Sequence, residues 1–216
     1  LAGTEGARDP FFSRDGRWVA FWTGREIYKV PVDGGGAVRL GELAVMTGGY
    51  WGDEGNLVIG TGAPSQNGVL RLPATGGAGT PILKLANGEG FHSHPQILPG
   101  GKAMLLQAVG GAAGQDNFTV DVVSIADRVR KTLARGVGSP RYLPSGHLVY
   151  TKRATMFAVP FDLERRDVRG TAVAVLDDVA YDPVAHGAQY DVSRTGTLVY
   201  RRHVGSSATV QWLDPT

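Results

Sequence analysis

His92 and His94 are the two side chains in this sequence placed most like a reactive centre. Residues two apart on an extended strand share a side, so a pair of imidazoles there could face one metal ion. A third ligand is missing nearby, and a site of this kind needs one. The pair therefore reads as a polar loop preceding a repeat unit. His147, directly after Gly146, and His186 and His203 read as loop or surface residues. The serines nearest to glycines are Ser65, Ser139, Ser145, Ser206 and Ser207, and none falls in Gly-x-Ser-x-Gly. That excludes a nucleophile elbow. Gly34-Gly35-Gly36 and Gly110-Gly111 are followed by neither Lys-Ser/Thr nor a helix start, which a phosphate cradle requires, so they read as turns. Asp15, Asp53 and Asp191 read as turn and strand-edge residues. The catalytic, cofactor-binding and metal-ligating sets are thus all empty, and no cofactor is implied.

The elements that carry these residues come from a repeat. One phrase recurs five times: Pro or Gly, an aromatic or aliphatic residue, a polar-Gly turn, then a run of strand formers. Pro10-Phe11-Phe12-Ser13-Arg14-Asp15-Gly16-Arg17-Trp18-Val19-Ala20-Phe21 is its clearest copy. The later copies begin at Gly49, Pro95, Pro140 and Gln189. Their turn glycines, Gly16, Gly55, Gly101, Gly146 and Gly196, are 39, 46, 45 and 50 residues apart. Asp15-Gly16 supplies the positive φ that a tight hairpin turn requires. A third strand is predicted after each hairpin, at Glu26–Pro31, Val69–Pro73, Val120–Val123 and Thr155–Pro160, and a shorter fourth strand closes the unit. Val122, Ile125, Val129 and Leu133 have near-helical spacing. Repeat register instead places strand three, a turn around Ala126-Asp127 and strand four there. Four strands per ~45 residues is the signature of one propeller blade.

The predicted fold is accordingly all-β: a β-propeller fragment of four-stranded antiparallel blades, about four complete with partial blades at both ends. The approximate units are 7–45, 46–90, 91–136, 137–184 and an incomplete 185–216. Leu1–Gly6 is expected to end an earlier unit, and Thr209–Leu213 to begin an unfinished one. Phe11, Phe12, Trp18, Phe21, Trp22, Tyr28, Tyr50 and Trp51 crowd the first two units and are expected to pack blade against blade. A chain cut from a closed ring leaves blade faces bare, so the isolated segment is expected to be sticky or partly unstable.

The wording Pro-x-Phe-Ser-x-Asp-Gly, then Trp-Val-Ala-Phe and Ile-Tyr-x-Val, resembles the TolB-like, WD40-like repeat of bacterial propellers. Leu98-Pro99-Gly100-Gly101-Lys102, Tyr142–Tyr150, Phe157–Asp162 and Val192–Tyr200 resemble a subgroup found C-terminal to bacterial receptor-like serine/threonine protein kinases. The resemblance implies a non-catalytic sensor or binding module on such a kinase. Its partner would be a protein, peptide or small ligand met at the propeller face. Kinase chemistry needs a glycine-rich loop, a strand lysine, His-Arg-Asp and Asp-Phe-Gly, and none of these stands in the sequence. The alternatives are a TolB-like periplasmic binding protein and the propeller of a prolyl-oligopeptidase-type serine peptidase.

Composition sets the remaining bounds. A 42% hydrophobic content in 216 residues suits a packed core. The 32 glycines and 12 prolines suit many short elements joined by turns. With no cysteine, packing alone must stabilise the fold. Lys and Arg number 22 against 20 Asp and Glu, a balance that does not point to nucleic acid. The basic runs Arg128, Arg130, Lys131, Arg135 and Arg165-Arg166 read as solvated faces. No apolar run reaches the ~20 residues of a membrane span, so this segment is expected to make no membrane contact, although its parent would be membrane-anchored. The extracytoplasmic side of a bacterial membrane is the expected location, with the cytoplasm as the alternative.

Overall fold

The computed structural model describes residues 1–52, 54–62, 67–111, 117–182, 187–202 and, as backbone, 210–213. Among the described residues every regular element longer than one residue is a strand. The first antiparallel sheet runs in chain order through β1 (Arg8–Phe12), β2 (Trp18–Trp22), β3 (Glu26–Pro31) and β4 (Val38–Glu42). The second does the same with β5 (Gly49–Trp51), β6 (Asn56–Gly60), β7 (Asn67–Pro73) and β8 (Thr80–Lys84). The third comprises β9 (Glu89–Ile97), β10 (Ala103–Gly110), β11 (Phe118–Ser124) and β12 (Arg130–Arg135). In the fourth, β13 (Gly138–Leu143), β14 (His147–Lys152) and β15 (Thr155–Asp162) are followed by two short strands on the outer edge of β15, β16 (Asp167–Val168) and β17 (Val173–Leu176). A small ladder, β18 (Tyr181–Asp182) with β19 (Gly187–Ala188), precedes a three-stranded sheet of β20 (Tyr190–Val192), β21 (Leu198–Arg201) and β22 (Val210–Leu213).

The chain divides into two compact units, Leu1–Ile97 with Ala108–Gly111, and Leu98–Gln107 with Ala112–Thr216. In the first, Phe11, Ala20, Ile27, Leu40, Trp51, Leu57, Ile59 and Leu72 form one core between the first two sheets. Phe11 meets Trp51 edge to face, with ring centroids 6.5 Å apart. In the second, Leu148 joins a core with Leu105, Val120 and Val159, while its neighbour Val149 joins another with Met156, Ala188 and Tyr200. Successive side chains on a strand point to opposite faces, so β14 is apolar on both. This explains the continuous apolar runs where a half-exposed strand would alternate. Phe12 departs from the expected aromatic packing: it follows the buried Phe11, points the other way and is 60% exposed.

The stretch of near-helical spacing is a hairpin. Thr119 pairs with Arg135 and Val123 with Arg130, with a one-residue bulge at Leu133. The same bulge recurs in the outermost strands at Leu40 and Val175. A bulge twists an edge strand and blunts its pairing capacity. Residues 1–6, expected to end an earlier unit, hold turns and no strand. Both Gly3 and Gly6 are left-handed, which breaks extension there.

The five repeat glycines adopt φ values of 69° at Gly16, Gly55 and Gly101, 80° at Gly146 and 94° at Gly196. The connection is longer than the expected tight turn. Gly16 N donates to Ser13 O and Ser13 N to Trp18 O, so a β-turn is followed by one left-handed residue before β2 begins. Gly101 with Leu98, Gly146 with Leu143 and Gly196 with Ser193 repeat that first bond. Where serine opens the turn, its Oγ also accepts the amide of the next strand, Trp18 N or Thr197 N, each at 2.9 Å. Asp15 Oδ1 accepts from Ser13 Oγ at 2.6 Å and Arg17 N at 3.1 Å. These donors, the Ser13 hydroxyl first, hold the Asp15 carboxyl below its usual 3.8. A lowered folded-state pKa gives stability that is full above the unfolded value and lost as pH falls through the folded one. Asp15→Asn should therefore flatten the acid limb of a plot of melting temperature against pH below about 4, measured by calorimetry, and leave the neutral region nearly unchanged.

Candidate functional site

Each complete sheet has its first strand at an edge. In the first unit β1 lies beside β5, and β5 beside β9. These strands share an irregularity at one position. Asp9, His94 and Ser139 are left-handed, with φ of 48°, 51° and 52°, and each immediately precedes a proline. Gly48 takes the same place in the second sheet with φ of 106°. The register of β1 on β2 slips by one residue between Arg8 and Phe11, and that of β13 on β14 between Gly138 and Arg141. A non-glycine residue pays ~1–2 kcal/mol for this conformation. Proline biases its predecessor toward extended backbone, so surrounding contacts must hold the residue against its preference.

In the first unit the holder is Thr47. Its carbonyl accepts from His94 N at 3.2 Å, and its hydroxyl donates to the carbonyl of His92 at 2.6 Å. His92 is fully buried within β9, where the sequence suggested a polar loop. Its Nε2 donates to Glu89 Oε2 at 2.9 Å. The same carboxylate oxygen accepts from Ala86 N at 2.7 Å. His92 Nδ1 has no hydrogen-bond partner among the described residues and lies against Gly68, where a Cβ would come within 2.0 Å of it. The left-handed His94 breaks the alternation that would have set both imidazoles on one side. Among the described residues no three His, Cys, Asp or Glu side chains gather to hold a metal ion.

In the second unit the held residue is Ser139, 97% buried. Its amide donates to Gln107 Oε1 at 2.7 Å, and its Oγ accepts from Ala188 N at 2.7 Å. Its carbonyl accepts from the Tyr190 hydroxyl. Burial raises the Tyr190 pKa far above its usual 10, which keeps the phenol a donor. The Ser139 hydroxyl is thus committed as a structural acceptor. Gly138 lets Gln107 in: a Cβ there would stand 2.5 Å from Oε1.

The other sequence candidates stand apart from these clusters. Asp15, Gly16, Gly55, Gly101, Gly146 and Gly196 lie in the hairpin connections. His147 opens β14 with Nδ1 3.2 Å from Ser145 Oγ. Asp191, on β20, accepts from Val192 N at 2.9 Å. Asp53, Ser65, His186, His203, Ser206 and Ser207 lie outside the described residues. Within the basic runs, Arg130 pairs with the buried Asp121 at 2.5 Å and Lys131 with Asp167 at 2.6 Å. Thr47, Gly68, Glu89, Gln107 and Tyr190 were not singled out by the sequence. The usable signal was the polar residue before each repeat proline, which a phrase beginning at proline leaves out.

Comparison with solved structures agrees with the fold. A putative TolB from Agrobacterium tumefaciens superposes with a TM-score of 0.69 at 14% identity, over 96% of this chain and 76% of that one. The chain has a TolB-like β-propeller fold. A calcium-binding regucalcin from the same organism gives 0.63 at 15% identity, over 91% of this chain and 67% of its own. A Mycobacterium tuberculosis puromycin-hydrolyzing peptidase gives 0.63 at 14% identity, over 95% of this chain and 36% of the peptidase. No protein-family model and no curated protein matches the sequence. At these identities the likeness is one of fold.

The propeller's first-strand clamp has a direct mechanical consequence. Gly68→Ala drives a methyl group into the pinned His92 ring and should cost ~1–3 kcal/mol of stability, read by denaturant unfolding. Gly68→Ala/His92→Ala should be less destabilised than the sum of the two single changes, because the second removes the clash.

Proposed function

We propose that this chain is a non-catalytic binding or sensor module whose ligand, a protein, peptide or small molecule, engages the edge formed by β1, β5 and β9 of the first unit. The observation that carries this is the recurrence of a left-handed residue before proline at one position in three first strands, Asp9, His94 and Ser139, with His94 held by Thr47 and Ser139 by the buried Gln107. Strain of this kind collects at sites where a protein must present groups in a fixed geometry. Asp9 and His94 place a carboxylate and an imidazole at those positions. An interlocked hydroxyl such as that of Ser139 suits presentation better than nucleophilic attack. The TolB-like repeat wording and the kinase-associated phrases support attachment to a bacterial serine/threonine protein kinase, with the propeller on the extracytoplasmic side. The overlap with part of a longer peptidase supports a second reading, the propeller of a serine peptidase.

Gene sequence separates the two settings. Kinase motifs and an apolar span of about 20 residues upstream favour the first, and a downstream Gly-x-Ser-x-Gly favours the second. The binding reading is tested by a thermal-shift screen of peptides and small molecules against the wild type, Asp9→Gly and His94→Gly. Glycine relieves the left-handed strain, so both variants should fold with melting temperatures close to or above wild type. Compounds that stabilise the wild type should lose their effect on them. Hits that stabilise both variants as well as the wild type would refute a first-strand site.

A further inference from the structure

The dipeptide Asn-Gly occurs twice, at Asn67-Gly68 and Asn87-Gly88. Its chemistry is intrinsic. The backbone nitrogen of the glycine attacks the asparagine side-chain carbonyl carbon, a C–N bond closes a five-membered succinimide, and ammonia leaves. Water then opens the ring at either carbonyl, giving aspartate or isoaspartate. Glycine favours this because no Cβ obstructs the approach. The fold treats the two copies differently.

Asn67 is half-buried at the start of β7, in register with Lys84. Gly68 is buried, its carbonyl accepts from Thr61 N at 2.9 Å, and it is pressed against His92. Ring closure there would have to bend a central strand and move a fully buried imidazole. Asn87 and Gly88 are both exposed, at the centre of the Ala86–Glu89 turn closed by Glu89 N donating to Ala86 O at 3.1 Å. Gly88 has φ of 83° and open space where a side chain would be. The Gly88 carbonyl accepts from Gly111 N at 2.8 Å, but it is not part of the ring, whose atoms come from the exposed Asn87 and the Gly88 nitrogen.

We propose that Asn87 is a site of spontaneous deamidation in the folded protein, and that the fold protects the chemically identical Asn67. The location gives the reaction a consequence. Isoaspartate inserts a methylene into the backbone between Ala86 and Glu89. The bond from Ala86 N to Glu89 Oε2 spans that turn, and the same carboxylate oxygen holds His92. Modification at Asn87 therefore loosens the anchor of the histidine beneath the left-handed His94, and it adds a negative charge two residues from Glu89.

The folded chain is incubated at mildly alkaline pH and physiological temperature, alongside a sample in denaturant, and both are digested for peptide mass spectrometry. Expected in the folded sample is a mass gain of about 1 Da, the difference between –NH2 and –OH, confined to the Asn87 peptide. That peptide should also accept methyl groups from an isoaspartyl methyltransferase. In denaturant both asparagines should convert. Asn87→Gln should remove the folded-state signal with the melting temperature unchanged. Conversion of Asn67 as fast as Asn87 in the folded chain, or of neither, would overturn the proposal.

Discussion

The structure depends on apolar faces of neighbouring sheets buried against each other within each unit. Leu148 and Val149, adjacent on β14, belong to different cores, and Phe11 crosses from β1 to touch Trp51 on β5. Sheets stacked this way leave little room at the edge where first strands crowd together. A Cβ on Gly49 would come within 2.3 Å of the Phe11 ring, and one on Gly60 within 2.5 Å of the His92 carbonyl. The chain meets this crowding with glycine, or with a left-handed residue that adds one position to the strand. The outer edges face the opposite situation. They are exposed, bulged, and in β4 and β12 lined with Arg39, Arg130, Lys131 and Arg135, features that discourage pairing with another chain.

The left-handed residues are where packing becomes presentation. Strain at His94 and Ser139 is a cost the core must offset, and it persists because hydrogen-bonded side chains and backbone groups fix the chain beside them. Thr47 and the Glu89–His92 pair do so in one unit, and Gln107 and Tyr190 in the other. These fully or partly buried polar groups are hydrogen-bonded, as interior groups must be if they are not to cost stability. Among the described residues Ser93 Oγ, Asp121 Oδ1 and His92 Nδ1, the last opposite Gly68, depart from that rule.

Much of the fold was legible because its rules are local and repeated. Asp15-Gly16 and its successors mark the connections through positive φ, and Glu26–Pro31 was placed to the residue as β3. The helical spacing of Val122, Ile125, Val129 and Leu133 yielded to repeat register: Val122 and Leu133 lie on paired strands, Leu133 at the bulge, and Val129 is exposed in the connection between them. The clamps were not legible. Gln107 sits within the apolar run Ala103–Val109 and looks like an interruption, while its partner Ser139 is 32 residues away. His92 and His94 were noticed for chemistry they are not arranged to perform, because a left-handed residue before proline runs against the local preference that sequence reasoning relies on.

The central claim is that buried hydrogen bonds hold the strained first-strand residues in place, and native-state hydrogen exchange at the Ser139 amide tests it most directly. That amide lies in a bulge, yet it donates to a fully buried Gln107 side chain. The account predicts exchange as slow as that of the central strand β14, with opening close to global unfolding. Exchange as fast as in the exposed Ala86–Glu89 turn would show that nothing holds Ser139 in its conformation, and would contradict the account.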